Sequence, residues 1–423
     1  MSEQHRIGIF RPLTNHDFRL LWTGLAVSLL GDGIYLVSIA WLVLDLYDLK
    51  ALSLVGLAWT LPTVLLLMVT GVLTDRLPRR RLMLVADGVR FLAIGTMGVL
   101  VITGQVRLWH LIVLAAIYGA GEALFGPANS AILPDLVPAE QLVQANSLAQ
   151  FVRPFAQMLL GPALGGVLVR TVGPGWAFIV DAATFAWSAS MILRMTERAA
   201  VRHPDADSTH WADLKEGFRF VRSRTWLWAS MSVATVSLLC FWGPFEVLVP
   251  DLVKKDLHGS ALDLGLVFAA GGFGAIIAAG ISGQRGMPRR PLTVMYSAWA
   301  FGTLLLAGFG LAHSLWPMYL VSALSQAMFT ILMVNWFTVF QLLVPTHIRG
   351  RVSSLDWFVS TAGVPLSFAL TGPIAAAFGP RHTLIGAGIV GSAVIVLTVL
   401  VVPGILAPDH DGSLDAGRSA EAL

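Results

Sequence analysis

The sequence predicts an all-α membrane protein with twelve transmembrane helices arranged as two six-helix halves. Three observations carry this expectation. Of the 423 residues, 56% are hydrophobic and only 13% charged, whereas soluble domains carry about 25% charged residues. A soluble fold has no interior large enough for that much apolar surface, but lipid solvates it. The basic residues also fall unequally on the two sides of the apolar runs, and short motifs recur at an offset near 210 residues.

A helix that crosses a bilayer needs ~20 apolar residues. Runs of that length lie at Phe18–Leu44, Leu52–Leu73, Leu82–Ile102, Leu108–Leu133, Leu142–Val169, Trp176–Met195, Trp226–Val249, Leu262–Ser282, Leu292–Leu311, Met318–Val344, Val352–Ala377 and Thr383–Val402. The first run is long and lacks a small-residue cleavage pattern, so it is expected to be a retained span rather than a signal peptide. Frequent glycine, 41 residues, suits close helix contacts in lipid.

With the N-terminus taken as cytoplasmic, 20 of the 28 Lys and Arg residues fall in cytoplasmic segments, 6 on the opposite face, and Arg90 and Arg153 inside spans. That bias puts both termini inside the cell and makes the number of spans even. The net charge of +3 belongs to this loop pattern and implies no nucleic-acid partner. The expected organisation is a half at 1–196, a cytoplasmic linker at 197–225, a second half at 226–405 and a disordered tail at 406–423. In the linker, Trp211, Leu214, Phe218 and Val221 recur at helical spacing among basic residues, the pattern of an amphipathic surface helix.

The halves repeat. Pro78-Arg-Arg matches Pro288-Arg-Arg, Leu136-Val-Pro with Ser147-Leu148 matches Leu343-Val-Pro with Ser354-Leu355, and Gly161-Pro162 matches Gly372-Pro373, at offsets of 210, 207 and 211. Parallel repeats of this kind place a transport site near the midplane.

These residues resemble the major facilitator superfamily over nearly the whole chain. Gly71-x-x-x-Asp75-Arg76-x-x-Arg79-Arg80 resembles its loop motif after span two, with Pro78 in place of the usual Gly. Gly161-Pro162-x-x-Gly165-Gly166 resembles the exporter motif of span five, with Gln157 in place of an earlier Gly. The span-four motif with an embedded Arg is not matched; that span carries Glu122. Asn15-His-Asp-Phe-Arg-Leu-Leu-Trp22, Gly31-Asp32, Pro134-Asp-Leu-Val-Pro138 and Arg349-Gly-Arg-Val-Ser-Ser354 resemble the branch with macrolide-efflux and enterobactin-export proteins. The resemblance implies a prokaryotic exporter in the cell membrane, an antiporter working by alternating access, and no enzyme. It also implies that Asp75 faces the start of span eleven as part of a cytoplasmic gate.

Charges within spans are costly and mark function by default. Asp32 falls ~21 Å from the cytoplasmic edge of span one at a rise of ~1.5 Å per residue. A carboxyl there can bind and release a proton as solvent access alternates, or it can be fixed by a salt bridge to Arg153. Glu122, beside Gly119, Ala120 and Gly121, is a second titratable or cation-binding candidate. Arg153 is expected to pair with Asp32, and Asp87 with Arg90 at i,i+3. Asp181 and Glu246, nearer the span ends, read as structural. Arg79 is expected to bridge to Asp356. Tyr35, Phe125, Trp242 and Trp336 are candidate cavity aromatics, although each type is commonly core or interface belt.

The single cysteine, Cys240, excludes an internal disulfide, and no Cys/His spacing suggests a metal. No Walker-type loop supports ATP-driven pumping, and no nucleophile–base pair supports an enzyme. No cofactor is expected. The sequence thus points to a monomeric, proton-coupled exporter of hydrophobic or amphipathic molecules such as drugs. A lipid or siderophore-like cargo and a non-transporting membrane scaffold remain as alternatives.

Overall fold

The computed structural model describes residues 10–196 and 210–414, without the side chains of 67–69, 71–76, 139, 143, 210–214, 346 and 347. Twelve helices among the described residues are long and apolar enough to cross a membrane. They are His16–Leu46, Leu49–Leu66, Arg79–Ile102, Leu108–Asp135, Gln144–Val172, Pro174–Arg194, Thr225–Asp256, Ala261–Arg285, Pro291–Leu311, Leu315–Leu343, Ile348–Phe378 and Pro380–Val401. They are numbered here as spans one to twelve. The helix of span two continues to Arg76.

The chain forms two compact units, Met1–Arg202 with His258–Gly272, and His203–Leu257 with Phe273–Leu423. In the first, span one packs on spans five and six, and span three packs on spans four and six. In the second, span seven packs on spans eleven and twelve, and span nine on spans ten and twelve. The same neighbours recur, as expected of a repeat.

Prolines shape two spans. Proline has no amide proton, so a helix cannot keep its regular ladder there. Span five is wound as a π-helix over Arg153–Leu160, beginning at Arg153-Pro154. Span seven has π segments at Pro244–Leu248 and Leu252–Asp256. Such widened turns often mark functional places in a helix.

The linker helix runs His210–Ser223. Val221 joins the apolar core of the second unit, while Phe218 is 58% exposed. Glu216 pairs with Arg351 at 2.5 Å. The side chains of Trp211 and Leu214 lie outside the described residues.

The tail corrects one expectation. Composition predicts disorder over 406–423, yet in the described part Ala407–Asp409 forms a 3-10 turn and Leu414 is buried. Asp409 accepts the amide protons of Leu292 and Thr293 at 3.0 and 2.8 Å and the Thr293 hydroxyl at 2.8 Å. It thereby caps the start of span nine, where unsatisfied N–H groups favour an anion.

Candidate functional site

The first unit holds an acidic network between its helices. Asp32, on span one, accepts a hydrogen bond from the Tyr118 hydroxyl of span four at 2.7 Å. One turn further along span four, Glu122 accepts from the Trp59 indole N–H of span two at 2.9 Å. Tyr35 and Tyr118 pack with ring centroids 4.6 Å apart, and Trp59 lies 6.3 Å from each of them. An aromatic wall thus holds both acids, and its polar tips supply their donors.

Span three adds the pair expected from spacing. Arg90 donates to Asp87, and both are buried, at 3% and 0% exposure. The guanidinium also lies 4.5 Å from the Phe125 centroid and 4.4 Å from that of Phe185. Cation–π contact stabilises it where water is excluded. A Cβ on Gly121 would stand 2.7 Å from Arg90 Cγ, so glycine there makes room for the arginine stem.

The expected Asp32–Arg153 pair is not formed. Arg153 is exposed and donates to Gln157 Oε1 at 2.9 Å. Gln157 is one turn on, so a local bond engages one N–H of the guanidinium. Gln157 stands where the exporter motif usually has glycine.

The motif itself is a packing surface. Built Cβ atoms on Gly33 and Gly161 would meet Gln157 O at 2.5 Å and Leu30 O at 2.7 Å respectively. Gly165 lies against Ile34, and Gly166 against Ala261 and Leu262 of span eight. Pro162 Cδ would be 2.9 Å from a Gly33 side chain. The small residues therefore bring span five against spans one and eight.

At the loop after span two, Arg79 bridges to Asp135 at 2.6 Å and donates to Ala131 O at 2.7 Å. Arg80 donates to Ile192 O and Leu193 O at 2.9 and 2.6 Å. These cations cap the ends of spans four and six, where helix dipoles favour positive charge. Asp356, the partner expected for Arg79, belongs to the second unit, where it accepts from the Trp336 indole at 3.0 Å and from Ser360 at 3.3 Å. Gly71 and the side chains of Asp75 and Arg76 lie outside the described set.

The candidate cavity aromatics are mostly interior. Tyr35, Phe125 and Trp336 are buried within their own units; Trp242 is half-buried. Sequence reasoning missed Tyr118, whose signal was its position four residues before Glu122 on one helix face. It also discounted Asp181, which is fully buried.

Charges inside a membrane are kept where ions or cargo pass, so twelve spans with an acidic interior in the first unit define a multi-pass membrane transporter. The family model for transmembrane secretion effectors matches residues 7–415, and the chain belongs to this family of the major facilitator superfamily. The multidrug efflux pump Tap of Mycolicibacterium fortuitum is 28% identical over 370 residues, covering 84% of this chain and 88% of that one. The enterobactin exporter EntS of Citrobacter koseri is 28% identical over 344 residues, 79% of each chain. Macrolide efflux protein A of Streptococcus pyogenes is 23% identical over 397 residues, 92% of this chain and 95% of that one. The family and these relatives are transporters, not enzymes. Among solved structures, an inward-facing, unoccupied bacterial homologue of the human lysosomal transporter Spinster aligns with a TM-score of 0.64 at 16% identity, over 96% of this chain and 98% of that one. That likeness is one of fold.

Proposed function

We propose that this protein is a proton-coupled exporter of hydrophobic or amphipathic small molecules, drugs among them, working as a monomer by alternating access. It would lie in the cell membrane with both termini in the cytoplasm. The observation that carries the reading is Asp32. It sits inside span one with a phenol rather than a cation as its partner. A carboxylate held by one neutral donor can take a proton without breaking an ion pair. Protonation would remove the charge that orders Tyr118 and shift the balance between two arrangements of spans one and four. Glu122, with a tryptophan donor, is the second acid of the same kind, and Arg153 is available to anionic groups of the cargo.

In this reading Arg79 and Arg80 act at the cytoplasmic gate by tying span three to the ends of spans four and six. The Gly161-Pro162-x-x-Gly165-Gly166 surface lets span five slide or bend against spans one and eight. The likeness to EntS favours a second cargo class, siderophore-like metabolites.

The test uses purified full-length protein in proteoliposomes with an imposed pH gradient, offering ethidium, erythromycin and enterobactin in turn. Gradient-driven movement of at least one compound is expected, with proton flux in the opposite direction. Asp32→Asn should abolish the gradient-driven movement while leaving the protein folded. Movement of all three that ignores the gradient, or undiminished driven movement by Asp32→Asn, would sink the coupling role.

A further inference from the structure

The acidic network of the first unit has four carboxyls, and three have a donor. Asp87 has Arg90, Asp32 has Tyr118 and Glu122 has Trp59. The fourth, Asp181 on span six, has none. It is fully buried, and neither carboxyl oxygen has a hydrogen-bond partner. The Thr184 hydroxyl nearby donates to the Asp181 backbone oxygen at 2.7 Å instead.

The position of Asp181 is built rather than incidental. A Cβ on Gly31 would stand 2.3 Å from Asp181 Oδ1 and 2.2 Å from Thr184 Oγ1. Only glycine at 31 leaves space for the carboxyl, and Gly31 adjoins Asp32 in the chain. The titratable and charged groups facing Asp181 are Asp32 from span one, Arg90 from span three and Tyr118 from span four. Arg90 is the one cation among them, and it is already committed to Asp87.

Burying a carboxylate with no donor is far costlier than burying a neutral acid. A proton on Asp181 removes that cost, because its carboxyl oxygens have no hydrogen-bond donor and the one cation facing it, Arg90, is committed to Asp87. The neighbouring acids, each with its donor, do not have the same need.

We propose that Asp181 is a further proton-carrying carboxyl, paired in function with Asp32 across Gly31. The proposal rests on the proton-coupled reading of Asp32 given above. In the packing described here the Asp181 O–H bond is intact. When spans one and six separate at Gly31 and water enters, the O–H bond breaks, the proton passes to water and the hydrated carboxylate remains. Reclosure requires a proton to be taken back from water. Closure of the seam between spans one and six thereby becomes tied to proton occupancy.

The experiment has an arm that needs no cargo. Infrared spectra of the purified full-length protein are recorded across a pH titration, following the carbonyl stretch of protonated carboxylic acids. Asp181→Asn, close in shape to the neutral acid, should delete one protonated-acid band that Asp32→Asn leaves in place. Gly31→Ala, whose new Cβ would meet the carboxyl, should shift the same band and serves as the second variant. A spectrum unchanged by both variants overturns the proposal.

The transport arm uses whichever of ethidium, erythromycin and enterobactin the wild-type protein moves in proteoliposomes. Asp181→Asn should lose at least ten-fold in gradient-driven movement while exchange of the same compound at equal pH continues. Loss in Asp32→Asn with full gradient-driven movement in Asp181→Asn refutes Asp181 alone. Full gradient-driven movement in Asp32→Asn refutes the parent reading instead.

Discussion

At the repeat offset of 210 residues, Asp32 of the first half corresponds to Trp242 of the second, and Asp87 and Arg90 to Ser297 and Ala300. At 207, Tyr118 and Glu122 correspond to Ser325 and Phe329, and at 211 Asp181 corresponds to Ser392. The second half fills these places with hydroxyls and apolar groups. Ser325 and Phe329 line a small cavity there, together with Ser237, Trp299 and Thr303. Trp299 donates to Ser237 at 2.9 Å, and Ser325 to Gly302 O at 3.1 Å. Packing contacts repeat where charges do not. Gly33 abuts span five and Gly243, at offset 210, abuts Ser367 and Thr371 of span eleven. The same helix neighbours thus assemble with and without acids at these corresponding positions. Acids at these positions are therefore not a requirement of the helix packing, which supports the proposal that those of the first half serve transport.

The largest expected effect comes from breaking the charge asymmetry at its most buried point. Arg90→Met strands Asp87 and should cost about 3–5 kcal/mol, as for other buried pairs with one member removed. Adding Asp87→Ser gives that position the residue of the second half and should recover more than half of the loss. Unfolding midpoints of the detergent-purified variants measure both. A double variant as unstable as the single would mean that the pair is structural after all.

Packing should respond alike in the two halves. Gly33→Ala puts a Cβ 2.5 Å from Gln157 O, and Gly243→Ala puts one 2.5 Å from Ser367 O. Each should cost about 1–3 kcal/mol by overpacking. Matched losses in thermal stability would support a shared scaffold; a loss confined to one half would break the comparison.

A smaller difference concerns helix starts. Span three begins after Pro78 with no side-chain cap, whereas span nine borrows Asp409 from the tail. Asp409→Ala should cost about 0.5–2 kcal/mol, the usual range for a lost cap, and should speed amide exchange at Leu292 and Thr293. Smallest of all, Arg79→Ala removes a partly exposed ion pair and should change stability by about 1 kcal/mol or less. A gating role for Arg79 would show in transport rates rather than in the melting curve.

Much of this was legible in the sequence. Run length located the spans because the thickness of the bilayer imposes it. The Asp87–Arg90 pair followed from i,i+3 spacing on one helix. The place of Asp32 inside span one followed from residue counting alone. Asp181 was not legible, because its burial depends on a glycine on another helix, 150 residues away in the chain. Arg153 misled for the opposite reason. Opposite charge suggested Asp32, but an amide one turn away in the π-helix was closer to hand. The tail read as disordered by composition, and only the three-dimensional structure joins Asp409 to span nine.

The proposed coupling resides in the acids of the first half. Gradient-driven transport in proteoliposomes, compared between Asp32→Asn and Asp356→Asn, tests it most directly, since Asp356 is a buried acid of the second half. The expected result is loss of gradient-driven movement in Asp32→Asn, with exchange at equal pH retained, and wild-type dependence on the gradient in Asp356→Asn. Loss in Asp356→Asn with coupling intact in Asp32→Asn would contradict it.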